Sequence, residues 1–325
     1  MRWVLVLLVL TFGGCSLRLP ISQRQPASIR NCLLGTNALL ETQPLVVLEY
    51  ETWLGPKVSD ATLMRRMVAK TTRVLNFKSA HKVRVLKPNE LKIARSLWFL
   101  HRQNAASLGF DISKRLTNLR DSIVVLAPDE FQRAVKAFSQ SGETRAFNLD
   151  HDLIVMSETA DELDFMHLLN HELAHMSAFR GVEVIPTSTA DVQVGHSGFS
   201  RFSQTRFDAF NEGMTEFINQ QLLTKAAAHP AFSRHKERLL SDSAPMAYTI
   251  GFLLVTELIT VLSQKSGLST SEVAAIWTKG YLTGDLKALE LVSTHLGPHG
   301  PKVLADFNDS PESFQKTWAF FGFSK

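Results

Sequence analysis

The chain has 325 residues, 45% of them hydrophobic, and 35 Lys and Arg against 31 Asp and Glu give a net charge of +4. That length and apolar content exclude an intrinsically disordered chain and allow a sizeable core, in one large domain or two lobes. A mean hydropathy near zero, with no long apolar run beyond the N-terminus, excludes a multi-span membrane protein.

The first residues, MRWVLVLLVLTFGGCS, carry one positive charge and an apolar stretch from Trp3 to Phe12. The stretch is too short to span a bilayer and reads as the core of a signal peptide over 1–14. Its end, Gly13-Gly14-Cys15, resembles a bacterial lipobox. The resemblance implies lipidation of Cys15 and, with Ser16 following, an outer-membrane address facing the periplasm. An ordinary secretory signal or a buried N-terminal strand is the alternative, so the expected location is the cell envelope, lipid-anchored, or secreted. Residues 15–40 are polar, with Pro20, Pro26 and Gly35, and read as a tether. With Cys15 acylated, Cys32 is left unpaired, which rules out a disulfide framework, a cysteine-rich metal site and a convincing thiol nucleophile.

The apolar, β-branched run 44–52 predicts a strand. Residues 59–77, with Leu63, Met67 and Val74 at helical spacing and Ser59 or Asp60 as cap, predict a helix. KVRVLK (82–87) alternates like a strand, and 89–109 reads as a helix. Between Lys57 and Arg102 twelve Lys or Arg face only Asp60 and Glu90. Such a surface near a membrane anchor suits anionic headgroups or envelope polymers, and equally a solvated helix face. It lacks interleaved aromatics, so nucleic acid is not an expected partner. DSIVVLAP (121–128) predicts a buried strand stopped by Pro128. A helix over 129–138 follows, with Phe131, Val135 and Phe138 on one face, then a strand over 146–157.

Thereafter the pattern is helical. Thr159 and Glu162 form a capping-box pair that opens a helix running to about Phe179, with Gly181 as its stop. Residues 182–203, rich in Gly, Ser and Thr, predict a long loop, the expected seat of substrate selection. Further helices are expected from Thr205 to Ala228, from Ser243-Ala244-Pro245 to Ser263, and after Ser269 and Ser310. The fold class is therefore α+β. An α/β lobe spans 41–157 with a mixed sheet, and a mainly helical lobe spans 158–325.

Inside the helix that begins near Thr159 lies His171-Glu172-Leu173-Ala174-His175. On a helix, positions i and i+4 share a face, so both imidazoles can meet one ion. Glu172, about 100° round the helix, cannot easily ligate the same ion but can reach a water on it. A catalytic metal site of this type needs a third protein ligand and an open position. The helix over 207–223 offers one: Asp208, Glu212, Thr215, Glu216 and Asn219 share a stripe opposite Phe207, Phe210, Met214 and Phe217. Alone, that stripe would read as a solvated face. Beside H-E-x-x-H, Glu212 can ligate and Glu216 can accept the free N–H of a ligand histidine.

Asn211-Glu212-Gly213-Met214-Thr215-Glu216-Phe217 resembles the second motif of the gluzincin metallopeptidases, written N-E-x-x-S-D in the thermolysin group and N-E-G-x-A-x-F in the aminopeptidase N group. The resemblance implies one zinc ion on His171, His175 and Glu212, with Glu172 as general base and Glu216 supporting a ligand histidine. Glu216 stands where that family usually has Asp. Tyr248, in AYTIGF (247–252), resembles the Y-x-x-G tyrosine that donates to the oxyanion in aminopeptidase N-like enzymes; His196 is a rival for that role. The strand, helix, strand order before the H-E-x-x-H helix is similar to peptidase MA-like gluzincins, which implies a zincin-like two-lobe fold. The G-x-M-E-N exopeptidase motif is missing, so an endopeptidase acting on a peptide or protein is expected. His151 and His167 are expected to be structural, His167 with an option on supporting the site. The alternative is an inactive zincin-fold envelope factor that binds partners.

Overall fold

The computed structural model describes residues 52–54, 73–137, 144–149, 152–185, 191–201, 207–241 and 248–323. The N-terminal signal, Cys15, Cys32, the tether, His151, the start of the 59–77 helix and the Ser243-Ala244-Pro245 helix start lie outside them, as does nearly all of the 44–52 strand. Among the described residues no helix is long and apolar enough to cross a membrane.

The chain is mostly helical with small sheets, an α+β architecture. After β1 (Thr52–Leu54) and a helical segment over 73–80 comes α1 (Pro88–Ser107), which opens on a proline and a Glu90 carboxylate that accepts the Lys87 N–H at 2.7 Å. Lys92, Arg95, Phe99 and Arg102 form an exposed stripe along it. A short helix, α2 (Leu119–Ser122), leads into β2 (Ile123–Leu126), followed by α3 (Pro128–Ala137). The alternation in KVRVLK does not make a strand: only Arg84 bridges, antiparallel to Val125.

The predicted 146–157 strand is two strands, β3 (Ala146–Leu149) and β4 (Leu153–Ser157), antiparallel to each other, with β4 parallel to β2. In the sequence the polar Asp150-His151-Asp152 lies between them, a composition that favours a break in a strand. In the order β2-β4-β3 both faces are covered, so the strands read as continuous apolar runs. Period-2 alternation sorts the side chains. Val124, Phe147, Leu149 and Val155 pack with Phe77 and Phe131 on one side. Ile123, Val125, Ala146, Ile154 and Met156 join the main core on the other. Asn148 shares the face of Ala146, two residues away, and so points at the helix beneath.

That helix is α4 (Glu162–Ser177). Its cap is Asp161, whose side chain accepts the Leu163 N–H at 3.0 Å, and not Thr159. It ends at Ala178, earlier than Gly181, because the chain turns at once into a strand. The described part of 182–203 is not a loop: β5 (Arg180–Ile185), β6 (Asp191–Ser197) and β7 (Ser200–Arg201) form an antiparallel meander, with β1 parallel to β5 at its edge.

Helix α5 (Asp208–Ala227) follows, then a 3-10 turn (Pro230–His235), α6 (Lys236–Leu240), α7 (Thr249–Ser266), α8 (Thr270–Thr283), α9 (Lys287–Leu296), α10 (Gly300–Asp306) and α11 (Pro311–Phe321). The Ser269–Glu272 capping box and the Ser310 cap form as the sequence predicts. Helix α5 has no solvated stripe. Asn211, Thr215, Glu216 and Asn219 are as buried as Phe210 and Met214. A helix with polar groups buried on one side must satisfy them internally, and these do so around the site described next.

Helices α5 and α7 meet at two glycines. A Cβ on Gly213 would lie 2.5 Å from the Gly251 carbonyl carbon and oxygen, and one on Gly251 would lie 3.0 Å from the Ala209 oxygen. Backbone, not a movable side chain, blocks the added methyl. Gly213→Ala should therefore destabilise the protein by ~1–3 kcal/mol or more, read as a thermal midpoint lowered by several degrees. An unchanged midpoint would show that the crossing opens freely.

Candidate metal centre

Helix α4 is buried on nearly every side, which leaves its polar groups no solvent to face. It presents His171 and His175 one turn apart towards Glu212 on α5. The two Nε2 atoms are 3.2 Å apart. Glu212 Oε2 is 3.4 Å from His171 Nε2 and 3.2 Å from His175 Nε2. Among the described residues these three form the one group of His, Cys, Asp or Glu side chains able to hold a metal ion. A tetrahedral ion with bonds of ~2.0–2.1 Å sets its ligand atoms ~3.3 Å apart, the spacing found here.

The protons are placed to leave that spacing to a cation. His171 Nδ1 donates to Glu216 Oε2 at 3.0 Å, so its Nε2 lone pair faces the triad. His175 Nδ1 lies 3.5 Å from Thr215 Oγ1. Thr215 gives its own hydrogen to the Asn211 carbonyl at 2.9 Å and receives the Tyr281 hydroxyl at 2.7 Å. It can therefore only accept from His175, which frees that Nε2 as well. Glu212 Oε2 is buried without a hydrogen-bond partner. Three acceptors converging within 3.4 Å require a positive charge among them.

Without an ion, a proton can supply it. Burial alone would lower the His171 pKa, but the Glu212 and Glu216 carboxylates outweigh it and raise it to about 10. Burial alone would raise Glu212, and the two imidazoles hold it well below the usual carboxylate range. Glu216 is likewise pulled down against its burial, chiefly by the His171 hydrogen bond.

Glu172 stands beside the triad and is buried. Asn148 on β3 donates to its carboxylate and, at 3.3 Å, to its backbone carbonyl. Burial raises the Glu172 pKa, with both histidines opposing. A carboxyl held next to a metal site, outside its ligand set and with raised basicity, can exchange a proton there.

Tyr248 precedes α7 in the left-handed region, at φ 56°. That conformation costs a non-glycine residue roughly 1–2 kcal/mol. Its ring stacks on His171, centroids 5.5 Å apart and planes 15° off parallel. Its side chain is partly exposed, and the nearby Glu212 charge raises its phenol above the ordinary value. His196, the rival, lies on β6, paired with Gly181 and Arg201. His167 is buried one turn before His171 with both ring nitrogens unpartnered, so it does not support a ligand; Glu216 fills that place.

Sequence reasoning passed over Asn148, Tyr281 and the role of Asn211. Asn148 had a signal: a polar residue in an otherwise apolar strand, in phase with the face that meets the H-E-x-x-H helix. Asn211 Oδ1 accepts the Phe199 N–H at 2.8 Å and so ties the β6–β7 turn to the start of α5. Nothing local marks Tyr281, which reaches Thr215 from another helix. Comparison with protein-family models, with curated proteins and with solved structures gives no significant match.

Proposed function

We propose that the chain is a zinc metallopeptidase of the gluzincin type with a zincin-like fold, cleaving within peptide or protein chains at the cell envelope. The observation that carries this reading is the triad: His171 Nε2, His175 Nε2 and Glu212 Oε2 within 3.2–3.4 Å of one another, with Glu172 beside them and outside the ligand set. Two imidazoles and one carboxylate are a donor set that suits zinc and leaves a fourth position open. A zinc ion held there would lower the pKa of a water and polarise the scissile carbonyl.

The chain's own residues do the rest. Glu172 takes the proton of the attacking water and passes it to the leaving amine, and Asn148 keeps its carboxylate aimed. Glu216 and Thr215 hold the two imidazoles in the tautomers that ligation needs. Tyr248, stacked on His171, donates to the developing oxyanion, a contribution of ~2.7–4 kcal/mol where such a donor is well placed. Among the described residues no strand pairs with the outer edge of β3. An extended substrate backbone pairs with such an edge, and Asn148 links β3 directly to Glu172.

The test is zinc content and a cleavage profile of the full chain on an unbiased peptide library. The expected result is one zinc per chain and internal cleavage that a chelator stops and added zinc restores. A chain that holds zinc but cleaves nothing would instead be the envelope-binding factor. A chain that holds no zinc would overturn the metallopeptidase and likewise favour that inactive factor.

A further inference from the structure

A directed chain of buried hydrogen bonds runs from α1 to the metal triad. His101 Nε2 lies 2.9 Å from Asn170 Oδ1. Asn170 Nδ2 donates to the Asn219 carbonyl at 3.1 Å and to Asn219 Oδ1 at 2.7 Å. Asn219 Nδ2 donates to Glu216 Oε2 at 3.1 Å, the same oxygen that receives His171 Nδ1 at 3.0 Å. His101, Asn170, Asn219 and Glu216 are all at least 98% buried.

One atom fixes every orientation. The Asn219 backbone carbonyl can only accept, so Asn170 must turn its amide nitrogen towards it. That leaves Asn170 Oδ1 facing His101, which must then donate from Nε2. It also makes Asn219 Oδ1 an acceptor, so its nitrogen points at Glu216. Reversing any amide would set two oxygens or two N–H groups against each other in a buried region, at a cost of ~1–3 kcal/mol. Glu216 is closed on its other side as well, since Gln220 donates to Oε1 at 2.6 Å. His101 stays neutral because burial pushes its pKa down to about 4, so the far end of the chain is a donor without charge.

We propose that His101 is a positioning residue for the metal centre. It acts through Asn170 and Asn219 to hold the Glu216 carboxylate in the one orientation that keeps the proton on His171 Nδ1 and the Nε2 lone pair free for a metal. The proposal rests on the triad being a metal site and is independent of whether the protein cleaves peptides. It extends the control of the site to a helix that contributes no ligand. A purely structural network joining α1, α4 and α5 would stabilise the fold equally well, so the readout must be metal affinity and not stability.

The experiment is zinc affinity of the full chain by chelator competition, with circular dichroism of each variant as the control for folding. His101→Phe keeps a ring on Trp98, on which His101 stacks at 6.0 Å, and removes the donor. His101→Gln keeps a donor at the Nε2 end. Losing a directly bonded partner typically costs about 10–100-fold in affinity; three links away, H101F is expected to lose roughly 3–10-fold and H101Q to restore most of it. In a Glu216→Ala background, where the chain is already cut, H101F should have no further effect. If H101F does not fold, Asn170→Ala cuts the same chain one link nearer the metal and must show the same pattern. Unchanged zinc affinity in H101F, or an equal loss with and without Glu216, would overturn the proposal. A wild-type chain that takes up no zinc overturns it together with the metal site, an outcome distinguishable from the other two because it precedes any variant.

Discussion

Glu172→Gln is expected to lower peptide hydrolysis by at least ~10²–10⁴-fold, the share that a positioned general base commonly contributes, with zinc content unchanged. The amide has the shape of the carboxylate, and its oxygen can still accept from Asn148 Nδ2. What it loses is the ability to take a proton. Because Glu172 is not among the three ligand atoms, the metal should remain. The measurement is paired: kcat/KM on the best library peptide, and metal per chain on the same preparation. Retained turnover in E172Q would sink the assigned role of Glu172, and loss of metal would show that Glu172 belongs to the ligand set.

Glu212→Ala should act at the other end of the same chemistry. Among the described residues it removes the one carboxylate whose oxygen lies within 3.4 Å of both imidazole Nε2 atoms. Zinc affinity should fall by more than the ~100-fold that loss of a supporting hydrogen bond can cost, and activity at limiting zinc should vanish with it. The metal-free chain should feel the change too. Glu212 and Glu216 together keep His171 protonated in a buried place. Removing Glu212 leaves that imidazole with Glu216 as its hydrogen-bonded carboxylate and only the Glu172 charge to add to it. Chelator competition on E212A beside wild type decides the point, and near-wild-type affinity would mean that another group is the third ligand.

Much of this centre was legible because its key relations are local. Four residues of helix bring His171 and His175 to one face, and four more on α5 bring Glu216 into line with Glu212. Helical spacing marked α3 and α5, and capping signals marked α4, α8 and α11. What escaped depends on contacts between distant segments. Residues 180–185 and 191–197 carry alternating valines, Val182 and Val184 against Val192 and Val194, yet their Gly, Ser and Thr content resembles a loop. Pairing of β5 with β1, some 130 residues earlier, is invisible to any local pattern. KVRVLK shows the converse, alternation without a partner. The polar stripe of α5 was ambiguous for the same reason. Only the packing of α4, α7 and α8 around it turns a solvated-looking face into an interior one.

In the chain the β5–β6–β7 meander lies between the two helices that carry the triad, and its base is tied to α5 and α8. The Phe179 N–H donates to the Tyr281 carbonyl at 2.8 Å, and the Gly198 N–H to the Phe179 carbonyl at 2.8 Å. The Phe199 N–H reaches Asn211 on α5. Those ties hold the entry and exit of the hairpin independently of what lies at its far end. A change beyond the far ends of β5 and β6 is therefore expected to leave His171, His175 and Glu212 in place.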